Sequence, residues 1–196
     1  MLKIIVATAA ILLPGAALAE DWGKFYAEVY GGASVGTDTS YNGIDYAMDP
    51  TWTAGAAFGV ALPQTACRAA TAGNRSALWL GPDEWLLLAE DGATDAIEAA
   101  FAEGMAGHPH SLVDVGHRNT AIEIAGPAAA DVLNAGCPLD LRLDAFPVGM
   151  CTRTVFAKAE IVLWRLDDQR FRVEVWRSFA GYLWGLLDEI RREHAA

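Results

Sequence analysis

The spacing of apolar residues near the C-terminus constrains the fold more than any other feature of the chain. Phe179, Tyr182, Leu183, Leu186, Leu187 and Ile190 recur at i, i+3, i+4, i+7, i+8 and i+11. That pattern is a single stripe on a helix and has no meaning on a strand. Asp188, Glu189, Arg191 and Arg192 take the other side. The stripe needs an apolar surface to lie on, and the residues just before it supply one. Residues 151–157, 160–166 and 171–176 are three strand-like runs, with Asp167-Asp168-Gln169 as the turn between the last two. The expectation is a helix sealing this sheet, with Leu186 in the core.

The preceding segments extend the same architecture. Residues 76–80 and 85–89 are apolar runs joined by Gly81-Pro82-Asp83-Glu84, a sequence suited to a tight hairpin turn. Residues 94–106 read as a helix with Thr94 at its N-cap and Ile97, Phe101 and Met105 on one face. Strands are expected at 110–115 and 120–125, around the turn Gly116-His117-Arg118-Asn119. A helix follows over 127–135, with Pro127 in its first turn and Gly136 after its end. Residues 59–196 therefore read as one α+β domain, an antiparallel or mixed sheet packed by helices. Hydrophobic residues make up 53% of the chain, enough for a core of that size.

The first 58 residues are written differently. Lys3, the apolar run 4–13 and the small-x-small end Ala17-Leu18-Ala19 compose a secretory signal peptide over 1–19. Residues 24–35 then alternate, with Phe25, Ala27, Val29, Ala33 and Val35 on one face. Residues 37–50 are turn-rich. Residues 51–60 alternate again through Trp52, Ala54, Ala56, Phe58 and Val60. Residues 20–58 thus form an N-terminal hairpin-like segment that resembles the first hairpin of a bacterial outer-membrane β-barrel. A barrel closes with at least about eight strands, and an unclosed hairpin leaves its edge groups unsatisfied in lipid. No stable membrane insertion is expected.

Composition narrows the function classes. A formal net charge of −11, with Arg191-Arg192 as the densest basic run, argues against nucleic acid. Cys67, Cys137 and Cys151 show no CxxC spacing, and an odd count leaves no complete disulfide framework. A thiol nucleophile needs a base and an orienting group, and VGMCTRT around Cys151 resembles no nucleophile elbow. His108, His110 and His117 lie close in sequence, but Pro109 and polar neighbours suit a solvated loop better than a zinc site. Neither GxGxxG nor GxxxxGK[ST] occurs, so no nucleotide-cofactor loop is supported. Gly181 and Gly185 are read as close-packing positions of a soluble helix. No catalytic, cofactor-binding or metal residue is assigned. Trp and Arg are enriched where subunits meet, which singles out Trp85, Arg118, Trp176 and Arg177 as candidate partner contacts.

Four segments carry a family resemblance: SALWLGPDEWLLLA (76–89), DVGHRNTAIEIAGPAAADVLNAGCPLDL (114–141), AFPVGMCTRTVFAKAEIVLWR (145–165) and FRVEVWRSFAGYLWGLL (171–187). In order and spacing they resemble the gamma subunit of bacterial heterotetrameric sarcosine oxidase, over about residues 59–190. The resemblance implies a fold similar to part of the folate-dependent aminomethyltransferases. It implies an accessory, non-catalytic subunit with alpha, beta and delta partners. FAD, FMN, NAD and tetrahydrofolate would sit in those partners and none in this chain. The assembly would oxidise sarcosine to glycine, pass the methyl carbon to tetrahydrofolate and release hydrogen peroxide. The family implies a cytoplasmic protein, whereas the signal peptide points to the periplasm or envelope. In the family a soluble strand-helix segment leads into GVALP (59–63), where this chain has the barrel-like hairpin, so a chimeric N-terminus is expected. Two other readings compete: an exported envelope protein with an α+β passenger domain, and an independent small enzyme using Cys or His.

Overall fold

A computed structural model describes residues 9–12, 24–31, 50–108 and 110–194. The described strands form two five-stranded sheets. The strands are β1 (Ala9–Leu12), β2 (Lys24–Gly31), β3 (Ala69–Ala72), β4 (Arg75–Gly81), β5 (Glu84–Glu90), β6 (His110–Asp114), β7 (Asn119–Ala125), β8 (Cys151–Phe156), β9 (Ala159–Asp167) and β10 (Arg170–Trp176). One sheet, here the C-terminal sheet, has the order β1-β7-β10-β9-β8, and the other the order β3-β4-β5-β2-β6. The helices are α1 (Pro50–Phe58), α2 (Thr94–Gly104), α3 (Ala129–Asn134) and α4 (Arg177–Glu193). Among the described residues no helix is long and apolar enough to cross a membrane.

Period-two alternation distributes these strands over three cores. Ile122, Ile124, Phe171, Val173, Val175, Ile161 and Leu163 turn one face of the C-terminal sheet toward α3 and α4. Ala77, Trp85, Leu87 and Ala89 turn one face of the other sheet toward α1 and α2. Leu78, Leu86 and Leu88 then meet Cys151, Val162 and Trp164 where the two sheets face each other. The order of layers is helices, sheet, sheet, helices, and the α+β expectation holds.

The N-terminal hairpin does not form as expected. Residues 50–58 are helix, and β2 pairs with β5 on one side (Val29↔Trp85) and β6 on the other (Val29↔Leu112). Ala54 and Phe58 are buried four residues apart while Trp52 is 70% exposed, a helical and not a strand-like pattern of burial. A run of small residues fits either period, and the signals that decide are at its ends. Pro50 suits a first helical turn, and Gly59 at φ +84 suits the residue after a last one. The amides of Gly59 and Val60 both donate to the Gly55 carbonyl, closing the helix. Ala33, Val35 and the expected loop over 37–49 lie outside the described residues. So do residues 1–8 and 13–19 of the expected signal peptide; its residues 9–12 are β1, parallel to β7 at the sheet edge (Ala9↔Ile122).

Three smaller expectations also shift. Ala93, not Thr94, is the N-cap of α2, and no side chain caps it. The helix expected from Pro127 starts at Ala129, with Pro127 in the turn before it. On α4 the fully buried positions are Leu183 and Leu187, whereas Leu186 is only half-buried and Tyr182 is 43% exposed. The stripe is real, but its centre lies one residue further round the helix.

Candidate functional site

Three of the four sequence-selected residues meet at one corner. β7 starts and β10 ends side by side, with Asn119 opposite Trp176. Arg118, in the turn before β7, therefore reaches the end of β10. Its guanidinium lies 4.9 Å from the centroid of the Trp176 ring, within the range of cation–π attraction. The Arg177 amide, at the start of α4, donates to the Arg118 carbonyl at 2.7 Å. Trp176 stays 42% exposed, and Arg118 and Arg177 are exposed.

Trp85 does not belong with them. It is 4% exposed, and its indole nitrogen donates to the Pro63 carbonyl at 2.7 Å. It shares a face with Leu87 and Ala89, in the core against α1 and α2. It is a packing residue, and its phase along β5 was the available signal.

Beside Trp176 lies a cleft of about 490 Å³. On β8 and β9, Cys151 and Trp164 lie in the contact between sheets. Two and four positions further along the same face come Arg153 and Val155 on β8, and Val162 and Glu160 on β9. These residues line the cleft with Glu174, Asn119 and Trp176. Here the face of the C-terminal sheet runs past its cover. Arg153 at the rim donates to Glu84 at 2.6 Å, tying the β4–β5 turn to β8.

Charge lies deep in this region. Arg172 donates from Nε to Glu174 Oε1 at 2.6 Å and lies 3.8 Å from Glu123, and all three side chains are at most 3% exposed. Asn119 is 7% exposed and its Oδ1 has no hydrogen-bond partner among the described residues. It lines the cleft, so a donor arriving there would satisfy it. In the sequence Asn119 closes the turn Gly116-His117-Arg118-Asn119; its place in phase with Ala121 and Glu123 is the signal that it belongs to β7.

The remaining candidates are dispersed. Cys67, Cys137 and Cys151 are free thiols. Burial above all, and then the neighbouring Cys67, pushes the Cys151 thiol up to about 12, far from a ready nucleophile. His110 Nδ1 contacts the His108 carbonyl at 2.8 Å, and His117 is exposed in the β6–β7 turn. Among the described residues no group of three His, Cys, Asp or Glu side chains could hold a metal ion.

Comparison with known proteins gives a consistent picture. The model of the family described as "Sarcosine oxidase, gamma subunit family" matches residues 44–193, starting ahead of α1. A sarcosine oxidase subunit gamma from Arthrobacter sp. is 40% identical over 119 residues, covering 60% of this chain and 58% of that protein. One from Corynebacterium sp. (strain P-1) is 36% identical over 124 residues, covering 63% and 60%. The matched segment thus spans about three-fifths of these relatives' length. Among solved structures, a chain of heterotetrameric sarcosine oxidase from Corynebacterium sp. U-96, in complex with pyrrole 2-carboxylate, superposes with a TM-score of 0.76 at 27% identity, over 90% of this chain and 83% of that one. Glycine cleavage system aminomethyltransferase T from Bartonella henselae shares the fold, with a TM-score of 0.53 at 16% identity, over 84% of this chain and 43% of that one.

Proposed function

Because the chain belongs to the sarcosine oxidase gamma subunit family, we propose that it is the gamma subunit of a heterotetrameric sarcosine oxidase and acts there as a non-catalytic docking element. The observation that carries this reading is the corner of Arg118, Trp176 and Arg177. An exposed indole held by a guanidinium, beside a cleft with an unpartnered buried amide oxygen, has the make-up of an interface anchor. The partners are the alpha, beta and delta subunits. The reaction is the oxidative demethylation of sarcosine to glycine, with the methyl carbon passed to tetrahydrofolate and hydrogen peroxide released.

On this reading FAD, FMN, NAD and tetrahydrofolate are held by those partners, and two clefts among the described residues support it. The cleft beside Trp176 presents Glu160 and Glu174, and its two arginines are engaged, Arg118 on Trp176 and Arg153 on Glu84. A second cleft of about 630 Å³, beside α1, is lined by residues such as Trp52, Gly55, Val60 and Leu62, with no charged side chain. Cofactor phosphates and folate carboxylates call for cationic or backbone donors. Neither of these two clefts fits them, and on this reading no chemical step is routed through the described residues.

Co-expression with the candidate partner chains, affinity purification and intact-mass analysis test the assignment. The chain should co-purify with them; a chain that purifies alone overturns the reading. Within a complex, Trp176→Ala should weaken association by about 2 kcal/mol, or ~30-fold in Kd, as expected for an aromatic anchor. The same mass reports the N-terminus. We place the assembled protein in the cytoplasm, and a chain beginning at Glu20 would place it in the envelope instead.

A further inference from the structure

Cys67 and Cys151 stand opposite each other where the chain enters β3 and β8. Arg68 and Met150 form an antiparallel bridge. The Ala69 amide donates to the Gly149 carbonyl at 2.9 Å, and the Cys151 amide donates to the Cys67 carbonyl at 3.1 Å. Cys67 and Cys151 are therefore the next directly opposed pair. One backbone hydrogen bond joins the pair directly; in a regular ladder such opposed residues hold their Cα atoms about 5.5 Å apart, within the roughly 4.4–6.8 Å that disulfides span.

A second observation concerns the backbone. Cys67 has φ +57, a left-handed conformation that side-chain-bearing residues rarely adopt. Glycine would occupy this turn without strain. A strained non-glycine held at a fixed place invites a functional reading. The Cys151 thiol, fully buried, points its Sγ toward the Trp79 carbonyl at 3.5 Å, while Cys67 is only half-buried. Cys137 sits elsewhere, in the core against α3 and α4.

We propose that Cys67 and Cys151 are a redox pair, which a hydroperoxide converts into a disulfide joining the two sheets. The inference rests on this chain alone and is independent of the assembly proposed above. Cys67, the more accessible thiol, attacks hydrogen peroxide. A sulfur–oxygen bond forms, the oxygen–oxygen bond breaks, and the thiol proton leaves with the departing oxygen as water. The Cys151 sulfur then attacks the Cys67 sulfenic acid. A sulfur–sulfur bond forms, the sulfur–oxygen bond breaks, and the Cys151 proton leaves in a second water. Together the two sulfurs lose two electrons and the peroxide gains two. Burial pushes the Cys151 thiol up to about 12 and keeps it protonated, so the second step quickens as pH rises. The link closes the loop from 67 to 151 and restrains the unfolded chain, so the oxidised form melts higher.

The test uses the full-length chain, reduced, treated with hydrogen peroxide at several pH values and alkylated in denaturant. Peptide mapping without reduction should show a Cys67–Cys151 link and an alkylated Cys137. The melting temperature should rise by several degrees and return after dithiothreitol. Cys67→Ser should abolish both the link and the rise. Cys151→Ala serves the same purpose at the buried position, and the wild-type map decides even where that variant fails to fold. Sulfinic acid at Cys67 with Cys151 still alkylated, or a link to Cys137, overturns the proposal.

Discussion

The two faces of the C-terminal sheet are built on opposite plans. Toward α3 and α4 the strands present Ile122, Ile124, Phe171, Val173 and Leu163, apolar groups that fit against Leu183 and Leu187. Arg165 is the exception; its guanidinium stacks 4.3 Å from the Phe171 ring centroid and donates to the Leu141 carbonyl at 2.6 Å. Toward the other sheet the intervening positions carry Glu123, Arg172 and Glu174, equally buried. The first face is held by area removed from water. The second holds charges, among the described residues two carboxylates around one guanidinium, whose desolvation offsets much of their attraction. An apolar face can slide or accept another apolar surface. A charged face has one register in which its members are matched, here Arg172 opposite Glu123. We infer that the helix face supplies stability and the sheet face supplies alignment.

The largest expected effect tests the charged face. Arg172→Met takes away the guanidinium that Glu123 and Glu174 face in the interior, and should destabilise by about 3–5 kcal/mol. The triple variant Arg172→Met, Glu123→Leu, Glu174→Leu removes all three charges and should recover most of that loss. Chemical denaturation of both variants measures the contrast. If the triple variant is as unstable as the single one, the charges stabilise the fold outright and the division of labour between the faces is wrong.

The helix face comes next. Leu187 is fully buried, so Leu187→Ala should cost about 2–4 kcal/mol through lost burial and a cavity. Leu186, half-buried beside it, should cost roughly half as much when cut to Ala. Thermal and denaturant melts of the pair locate the centre of the stripe. Equal losses would mean that α4 is rotated from the position described.

These faces also show what a sequence can disclose. The strands at 76–80, 85–89, 120–125 and 151–176 and the C-terminal helix were legible, because length and a clear period leave few alternatives. The charged face was not. Glu123, Arg172 and Glu174 alternate with apolar neighbours, which in a single sequence reads as a solvated side. Only the second sheet, folded from distant residues, makes that side an interior. α1 was missed for a different reason: Ala54, Gly55, Ala56 and Ala57 carry too little side chain to mark a period. The site was legible in Arg118, Trp176 and Arg177. It was not legible in Asn119, whose burial depends on the same stacking of sheets.

The smallest effect belongs to an ion pair outside both faces. Arg75 forks onto Glu90, with Nη2 to Oε1 at 2.7 Å, and its Nη1 donates to the Phe58 carbonyl at 2.8 Å. It thus fastens the end of α1 to β4 and β5. The hydrogen bond from Arg75, with a backbone hydrogen bond adding to it, holds the Glu90 carboxyl below its usual range. A carboxyl lowered in the folded state contributes stability above its unfolded value and loses that contribution as pH falls through its folded value. Glu90 is 43% exposed, so solvent screens the pair and Glu90→Gln should cost no more than about 1 kcal/mol near neutral pH. The difference between Glu90→Gln and the wild type should shrink as pH falls below the ordinary carboxylate range, and shrink as well in high salt. The side chains around Arg172 are at most 3% exposed, so the penalty of Arg172→Met should depend far less on salt. Denaturation of both variants at low and high ionic strength makes that comparison. A salt-insensitive Glu90 effect would mean that this corner is closed to solvent and belongs with the buried charges.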